Sequence, residues 1–211
     1  MKWSVTQGDC LELLKSLPSG SVDAIITDPP YGIEWEGHNA STQKWDGIAN
    51  DTGTLDLRPI LSMPCLVVSF GANCYPDQLP SRGRWICWDK RTMESADRML
   101  GSPFELAWTN RTSGFDRMYR VMHGGAVNAD GRTVKRVHPT QKPIDLMSRI
   151  ILDYTNEGDT ILDPFCGSGT TGVAAVMNGR NFIGYEIDPK YCEIARRRIE
   201  AAIPLQLQVQ P

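Results

Sequence analysis

The chain has 211 residues, of which 41% are hydrophobic and 22% charged, with a formal net charge of −3. That length fits one domain with modest insertions, since domains commonly run to about 100–200 residues, and it can bury a core without disulfides or metals. No run reaches the roughly 18 uninterrupted apolar residues of a membrane span, and Met1–Val5 carries no apolar signal segment, so a cytoplasmic protein without membrane contact is expected. The six cysteines are scattered, none in a Cys-x-x-Cys pair, and three histidines accompany them. That pattern argues against a metal site and for reduced thiols in or near the core.

In chain order, β-rich runs bounded by turn residues are predicted at Trp3–Thr6, Val22–Thr27, Cys65–Phe70, Arg84–Trp88, Glu105–Thr109, Thr160–Asp163 and Asn181–Glu186. Three of them (Val22–Thr27, Cys65–Phe70 and Thr160–Asp163) are apolar enough for central parallel strands. Helical spacing fits Cys10–Leu17 behind an Asp9 cap, Pro143–Tyr154 with proline in the first turn, Thr170–Met177 before Asn178-Gly179, and Pro189–Ala202 behind Asp188. Strands alternating with helices predict an α/β fold, a doubly wound sheet with helices on both faces.

The whole chain, 1–211, reads as a single domain with two substrate-facing insertions, at about 32–58 and 111–137. The first contains the polar stretch Gly32–Thr54, with Trp35, His38 and Trp45 as candidate substrate-facing side chains. The second carries Arg111, Arg117, Arg120, Arg132, Lys135 and Arg136 against Asp116 and Asp130. Such a basic segment can neutralise phosphates on an otherwise acidic protein. Leu205–Pro211 reads as a disordered tail.

Asp163-Pro-Phe-Cys-Gly-Ser-Gly-Thr-Thr-Gly172 lies between a predicted strand and helix. Glycines there let a ligand approach the backbone, and Gly167-x-Gly169-x-x-Gly172 even satisfies a dinucleotide fingerprint. Glu186, at the end of the next strand, is placed to accept hydrogen bonds from ribose hydroxyls. The carboxylate of Asp163 would repel a pyrophosphate but not a cationic methionine moiety. Phe165 is a candidate wall of the pocket.

Asp28-Pro29-Pro30-Tyr31 follows the strand Val22–Thr27, at a strand's carboxyl end, where open α/β sheets bind ligands. Two prolines fix a rigid turn and leave carbonyl oxygens exposed. Asp28 and the carbonyl of Pro29 can each accept one N–H of an exocyclic amino group, making its nitrogen more nucleophilic, while Tyr31 stacks on a base taken out of the duplex.

Together these elements resemble the beta group of DNA amino-methyltransferases, in which the catalytic half precedes the cofactor half. The resemblance covers nearly all of residues 3–200 in the expected order. It implies S-adenosylmethionine as cofactor, with Gly8-Asp9-Cys10 at its adenine ring. His138-Pro139-Thr140-Gln141-Lys142-Pro143 would lie at its methionine end, and Asp163, Phe165, Gly167, Ser168, Gly169, Thr170 and Glu186 would complete the pocket that Asp28 also borders. The catalytic loop would be Asp28, Pro29, Pro30 and Tyr31.

The resemblance further implies a seven-stranded, mostly parallel, Rossmann-like sheet with one reversed strand and a permuted motif order, which sets the strand of Glu186 beside Trp3–Thr6. Double-stranded DNA is the implied substrate, and a homodimer and a cognate restriction enzyme are further implied partners. Asp at the first position of the tetrapeptide resembles the adenine-N6 enzymes. Cytosine-N4 is the alternative, followed by RNA or another planar amino group. The segment 111–137, where this group carries target recognition, is short beside many members. Pro64-Cys65 resembles the nucleophilic pair of cytosine-5 enzymes, but Cys65 opens an apolar strand and reads as core.

Overall fold

The computed structural model describes residues 1–32, 53, 55–91, 102–122, 138 and 140–203. Trp35, His38, Trp45, Arg132, Lys135, Arg136, Pro139 and the tail Leu205–Pro211 lie outside the described residues. The strands are β1 (Trp3–Gln7), β2 (Ala24–Thr27), β3 (Leu66–Phe70), β4 (Arg84–Asp89), β5 (Phe104–Thr109), β6 (Arg117–Arg120), β7 (Thr160–Asp163) and β8 (Asn181–Glu186). They form one sheet in the order β1-β8-β7-β2-β3-β5-β4-β6. Only β5 runs antiparallel to its two neighbours, β3 and β4; every other adjacent pair is parallel.

The expected reversed strand and the pairing of β8 with β1 are both present, with Trp3 opposite Phe182 and Gln7 opposite Glu186. Seven strands were expected and eight are found among the described residues. The extra strand, β6, lies inside 111–137, which therefore is not wholly an irregular insertion. Its sequence Arg-Met-Tyr-Arg buries only Tyr119 and pairs with β4 alone, so no apolar run announces it. Cys65 precedes β3 and is half-buried rather than core, with its thiol pushed up to about 11 by burial and Asp23.

The helices are α1 (Cys10–Lys15), α2 (Arg58–Leu61), α3 (Ile144–Tyr154), α4 (Thr170–Met177) and α5 (Pro189–Ala202). Asp9 caps α1 by accepting the N–H of Leu11 at 2.8 Å, and Asp188 caps α5 by accepting that of Lys190 at 2.7 Å. α1 ends two residues short of the expected Leu17, at a Ser16 C-cap. Pro143 is the N-cap of α3 rather than its first residue. α2 was not foreseen, being a single turn with a proline inside it.

Alternation along each strand distributes side chains between two cores. Ile26, Val68, Ala107 and Ile161 face one side, under α3, α4 and α5. Ile25, Val67, Trp108 and Leu162 face the other, with Cys10 of α1 and Ile60 and Leu61 of α2. α3 contributes Leu146, Met147, Ile150 and Ile151, each no more than 1% exposed. Burying each is worth up to about 1.5–3 kcal/mol. Among the described residues no helix is long and apolar enough to cross a membrane, no disulfide forms, and no group of side chains is arranged to hold a metal ion.

Candidate active site

β2 and β7 are adjacent and parallel, Ala24 opposite Ile161 and Ile25 opposite Leu162, so the loops leaving their carboxyl ends meet. One loop is Asp28–Tyr31; the other begins at Pro164. Both border a cavity of about 290 Å³ that extends to Gly8, Asp9 and Cys10 after β1 and to Glu186, Ile187 and Asp188 after β8. These four of the parallel strands thus deliver their carboxyl ends to one space, as open α/β sheets do.

Of the residues expected to hold a cofactor, Asp9, Cys10, Asp28, His138, Thr140, Phe165, Gly167 and Glu186 line this cavity, and Asp163, Ser168, Gly169, Thr170 and Lys142 do not. Glu186 is held ready: its Oε2 accepts the N–H of Gly167 at 2.7 Å and its Oε1 that of Asp188 at 2.9 Å. Each oxygen retains acceptor capacity for a ligand hydroxyl. Burial raises the Glu186 carboxyl, against the pull of those two N–H groups.

Asp163 has a different role from the one expected. Its carboxylate accepts the hydroxyls of Thr27 at 2.7 Å and Thr171 at 2.6 Å and the N–H of Phe165 at 3.1 Å, so it braces the loop instead of facing a ligand. Burial pushes it up to about 6 despite those donors. Discrimination against a pyrophosphate falls instead to Asp9, Glu186 and Asp188, which line the cavity, whereas the lining carboxylates Asp28 and Glu105 are paired with Lys142 and Lys90. Such a wall disfavours a polyanion and favours a cation.

The glycines also divide. A Cβ on Gly169, where φ is +81°, would stand 2.9 Å from the Cα of Ala195 in α5. One on Gly172 would meet Ile199 at 2.5 Å and Phe182 at 2.6 Å. Both are packing requirements of α4. Gly167 alone of the three faces the cavity, and a Cβ there would clear His138 by 3.7 Å. Ser168 and Thr170 turn toward Arg198, whose Nη1 donates to the Ser168 carbonyl, to Ser168 Oγ at 2.8 Å and to Thr170 Oγ1 at 3.4 Å.

His138 packs edge-on against Tyr191 with ring centroids 4.4 Å apart, and its Nδ1 is 3.3 Å from the Thr140 N–H. Burial, reinforced by the charges of Lys142 and Arg198, lowers it to about 4, so the ring is neutral at pH 7.

At the catalytic end the Tyr31 hydroxyl donates to Asp28 Oδ1, and the Lys142 ammonium donates to Oδ2. A carboxylate offers about four lone-pair sites, so Asp28 keeps two for a substrate. Burial raises its carboxyl and Glu105 adds to this, while Lys142 pulls the other way. The Tyr31 ring rests on Gly71 at the end of β3, where φ is +67° and a Cβ would lie 1.9 Å from the ring. Sequence reasoning missed Gly71, Glu105, Asp188 and Tyr191. The first two lie at the ends of strands that were predicted but carry no motif pointing to a site, and the last two were read only as a cap and a helix residue.

The basic residues are not brought to this end together. Arg111 donates to the Asp153 carbonyl at 3.3 Å and sits over the Tyr154 ring, and Arg117 pairs with the Asp153 carboxylate at 3.5 Å. Both therefore lie at the carboxyl end of α3, roughly 15 Å along the helix from Lys142. Arg120 is at the cavity end of the sheet, opposite Asp89, to which it donates at 3.1 Å.

A fold of this topology, with a rigid Asp-Pro-Pro-Tyr loop beside an acidic nucleoside-sized cavity, defines the class of amino-methyltransferases. The N6_N4_Mtase family, described as DNA methylase, matches residues 83–197, more than half the chain, and the protein belongs to it. It is 27% identical over 263 aligned residues to the type II methyltransferase M.HinfI of Haemophilus influenzae, covering 99% of this chain and 73% of that one. It is 26% identical to the type II methyltransferase M2.MboI of Moraxella bovis, covering 96% and 89%. Among solved structures, the putative DNA modification methylase TTHA0409 of Thermus thermophilus, in complex with S-adenosyl-L-methionine, superposes with a TM-score of 0.62 at 21% identity, over 97% of each chain.

Proposed function

We propose that the protein transfers the methyl group of S-adenosylmethionine to the exocyclic amino nitrogen of a base flipped out of double-stranded DNA, adenine N6 being the target. The observation that carries this is the single cavity joining the Asp28–Tyr31 loop to Glu186 and Gly167. Asp9, Cys10, Phe165 and Glu186 would hold the nucleoside part of the cofactor, and His138 and Thr140 the methionine part. The carboxylate wall fits a sulfonium cation. When bound, the cofactor supplies an activated methyl group.

The chain's own contribution is positioning and polarisation. Asp28 and the Pro29 carbonyl accept the two amino N–H groups, which turns the nitrogen lone pair toward the methyl carbon. Asp28 would accept the proton that the amino nitrogen gives up on methylation. Tyr31, fixed by Gly71 and by its bond to Asp28, presents its ring to the base.

Asp at the head of the tetrapeptide supports adenine over cytosine N4. Arg120, at the cavity end of the sheet, supports a phosphate contact there, and Arg111 and Arg117, beside Asp153, form no part of that contact. A single domain, a homodimer gripping the duplex and a cognate restriction enzyme belong to the same proposal. Tritiated methyl transfer to unmethylated duplex DNA, followed by mass spectrometry of the nucleosides, tests it. N6-methyladenine is expected; N4-methylcytosine would move the target, and no transfer to DNA despite cofactor binding would end the proposal.

A further inference from the structure

Four charged side chains from four separate segments form a continuous chain at the catalytic end. Lys90, just after β4, lies 2.6 Å from Glu105 Oε1 on β5; Glu105 Oε2 lies 3.1 Å from the ammonium of Lys142, ahead of α3; and Lys142 holds Asp28, after β2. The Lys142 side chain is 8% exposed and stands over the Phe70 ring at 5.1 Å. Buried charges of this kind persist only when paired. Yet Lys142 needs one carboxylate for that purpose and has two, the buried Glu105 Oε2 facing the same ammonium as Asp28. Glu105 is also a wall of the cavity itself. The second carboxylate has consequences for the first.

We propose that Glu105 is a positioning residue for methyl transfer: with Lys90 it divides the Lys142 ammonium between two carboxylates, which anchors Asp28 while leaving its charge strong enough to accept the substrate's amino hydrogens. The inference rests on the amino-methyltransferase reading given above. A lone Lys142–Asp28 pair would hold Asp28 equally still but would neutralise it. Sharing the ammonium with Glu105 avoids that, and Lys90 keeps the four-member chain neutral overall.

The groups facing Asp28 are Lys142, Glu105 and Tyr31, with Asp163 and Tyr75 further off. Those facing Glu105 are Lys142 and Lys90, with Asp28, Tyr31 and Cys74 beyond. Burial works against ionisation of Glu105, but Lys142 and Lys90 outweigh it and hold its carboxyl down at about 2, so it stays charged wherever the enzyme works.

Opposite charge changes at Glu105 and at Lys90 must then move Asp28 in opposite directions. Glu105→Gln leaves two ammonium groups against one carboxylate and should lower the acid limb of the kcat–pH profile by about one unit, with kcat down about tenfold. Lys90→Met should raise that limb by about half a unit to one unit. The double variant removes a neutral pair, and its limb should return to the wild-type position.

The experiment measures kcat–pH profiles of the wild type and the three variants on duplex DNA, with cofactor affinity by calorimetry and folding by circular dichroism. Shifts of opposite sign, cancelling in the double variant, support the proposal, because loss of packing has no such sign. Limbs that stay in place, or move together, overturn it. If Glu105→Gln does not fold, the Lys90→Met limb decides: a rise supports, no change overturns. A wild-type enzyme that binds cofactor yet methylates no DNA removes the reading beneath the inference. An active wild type with unmoved variants removes the inference alone.

Discussion

Gly167 and Gly169 belong to one glycine-rich loop, yet the structure gives them different work, and single alanine substitutions should separate the two. Gly169 sits at φ +81°, and an added Cβ would be 2.9 Å from both the Cα and Cβ of Ala195. A left-handed conformation costs a non-glycine residue roughly 1–2 kcal/mol. Forcing a methyl into a closed contact typically adds about 1–3 kcal/mol, and α5 backbone cannot yield as a flexible side-chain tip would. Gly169→Ala should therefore lose about 3 kcal/mol, equivalent to a Tm lower by roughly 10 °C in a chain of this size. Gly167, at φ +52°, has its nearest neighbour, the His138 ring, 3.7 Å from the added Cβ, so Gly167→Ala should lose only about 1–2 kcal/mol. Its new methyl, however, stands on the cavity wall and should weaken cofactor binding about tenfold, as about 1.4 kcal/mol of lost contact would. Urea unfolding gives the first pair of numbers and calorimetric titration with S-adenosylmethionine the last. Gly169→Ala as stable as the wild type, or Gly167→Ala the less stable of the two, would refute the division.

Asp28→Ala should reduce methyl transfer by at least about a thousandfold while cofactor affinity changes little, because polarisation of the amino group is lost and Glu186 is untouched; calorimetry showing lost cofactor binding would contradict this assignment. His138 should titrate near pH 4 by NMR, not at the ordinary 6.5. Because its folded value is the lower one, its contribution to stability is complete above about 6.5 and is lost as pH falls toward 4; titration at 6.5 would place the ring in solvent. Arg120→Ala should lower the slope of log K against log salt for DNA binding by about one, whereas Arg111→Ala and Arg117→Ala should leave it unchanged. Equal slopes for all three variants would show that position in the sheet does not select the phosphate contact.

How much was legible depends on whether a residue's role is written locally. Asp9, Asp188 and the alternation through Val67-Val68 and Ile161-Leu162 act within a few residues of themselves, so caps and core strands were found to within one or two positions. Asp28–Tyr31 and Gly167 carry local backbone chemistry of the same kind. The misses are long-range. Tyr119 alone anchors β6, which a four-residue edge strand flanked by arginines cannot advertise. Asp163 looked like a ligand-facing carboxylate because nothing in its neighbourhood reveals that Thr27, more than a hundred residues earlier, donates to it. Arg111 and Arg117 read as phosphate contacts from charge alone, and nothing near them in sequence reveals that both meet Asp153 at the far end of α3.

Glu105 shows the same limit in its sharpest form, and it explains why the reversed strand matters. The parallel strands β1, β2, β7 and β8 present their carboxyl ends to the cavity, so their site residues follow the strand: Asp9, Asp28, Phe165 and Glu186 itself. β5 runs the other way, so its beginning is what reaches the catalytic end. Asp89 pairs with Phe104, and Gly71 N–H donates to the Leu106 carbonyl at 2.8 Å, which sets Glu105 level with the loops after β3 and β4. Had β5 been parallel, Thr109 would stand there and Glu105 would be at the opposite edge, beyond reach of Lys142. A carboxylate at the start of a strand is a site residue only if that strand is reversed. Lys90, leaving β4 in the forward sense, meets it from the other side.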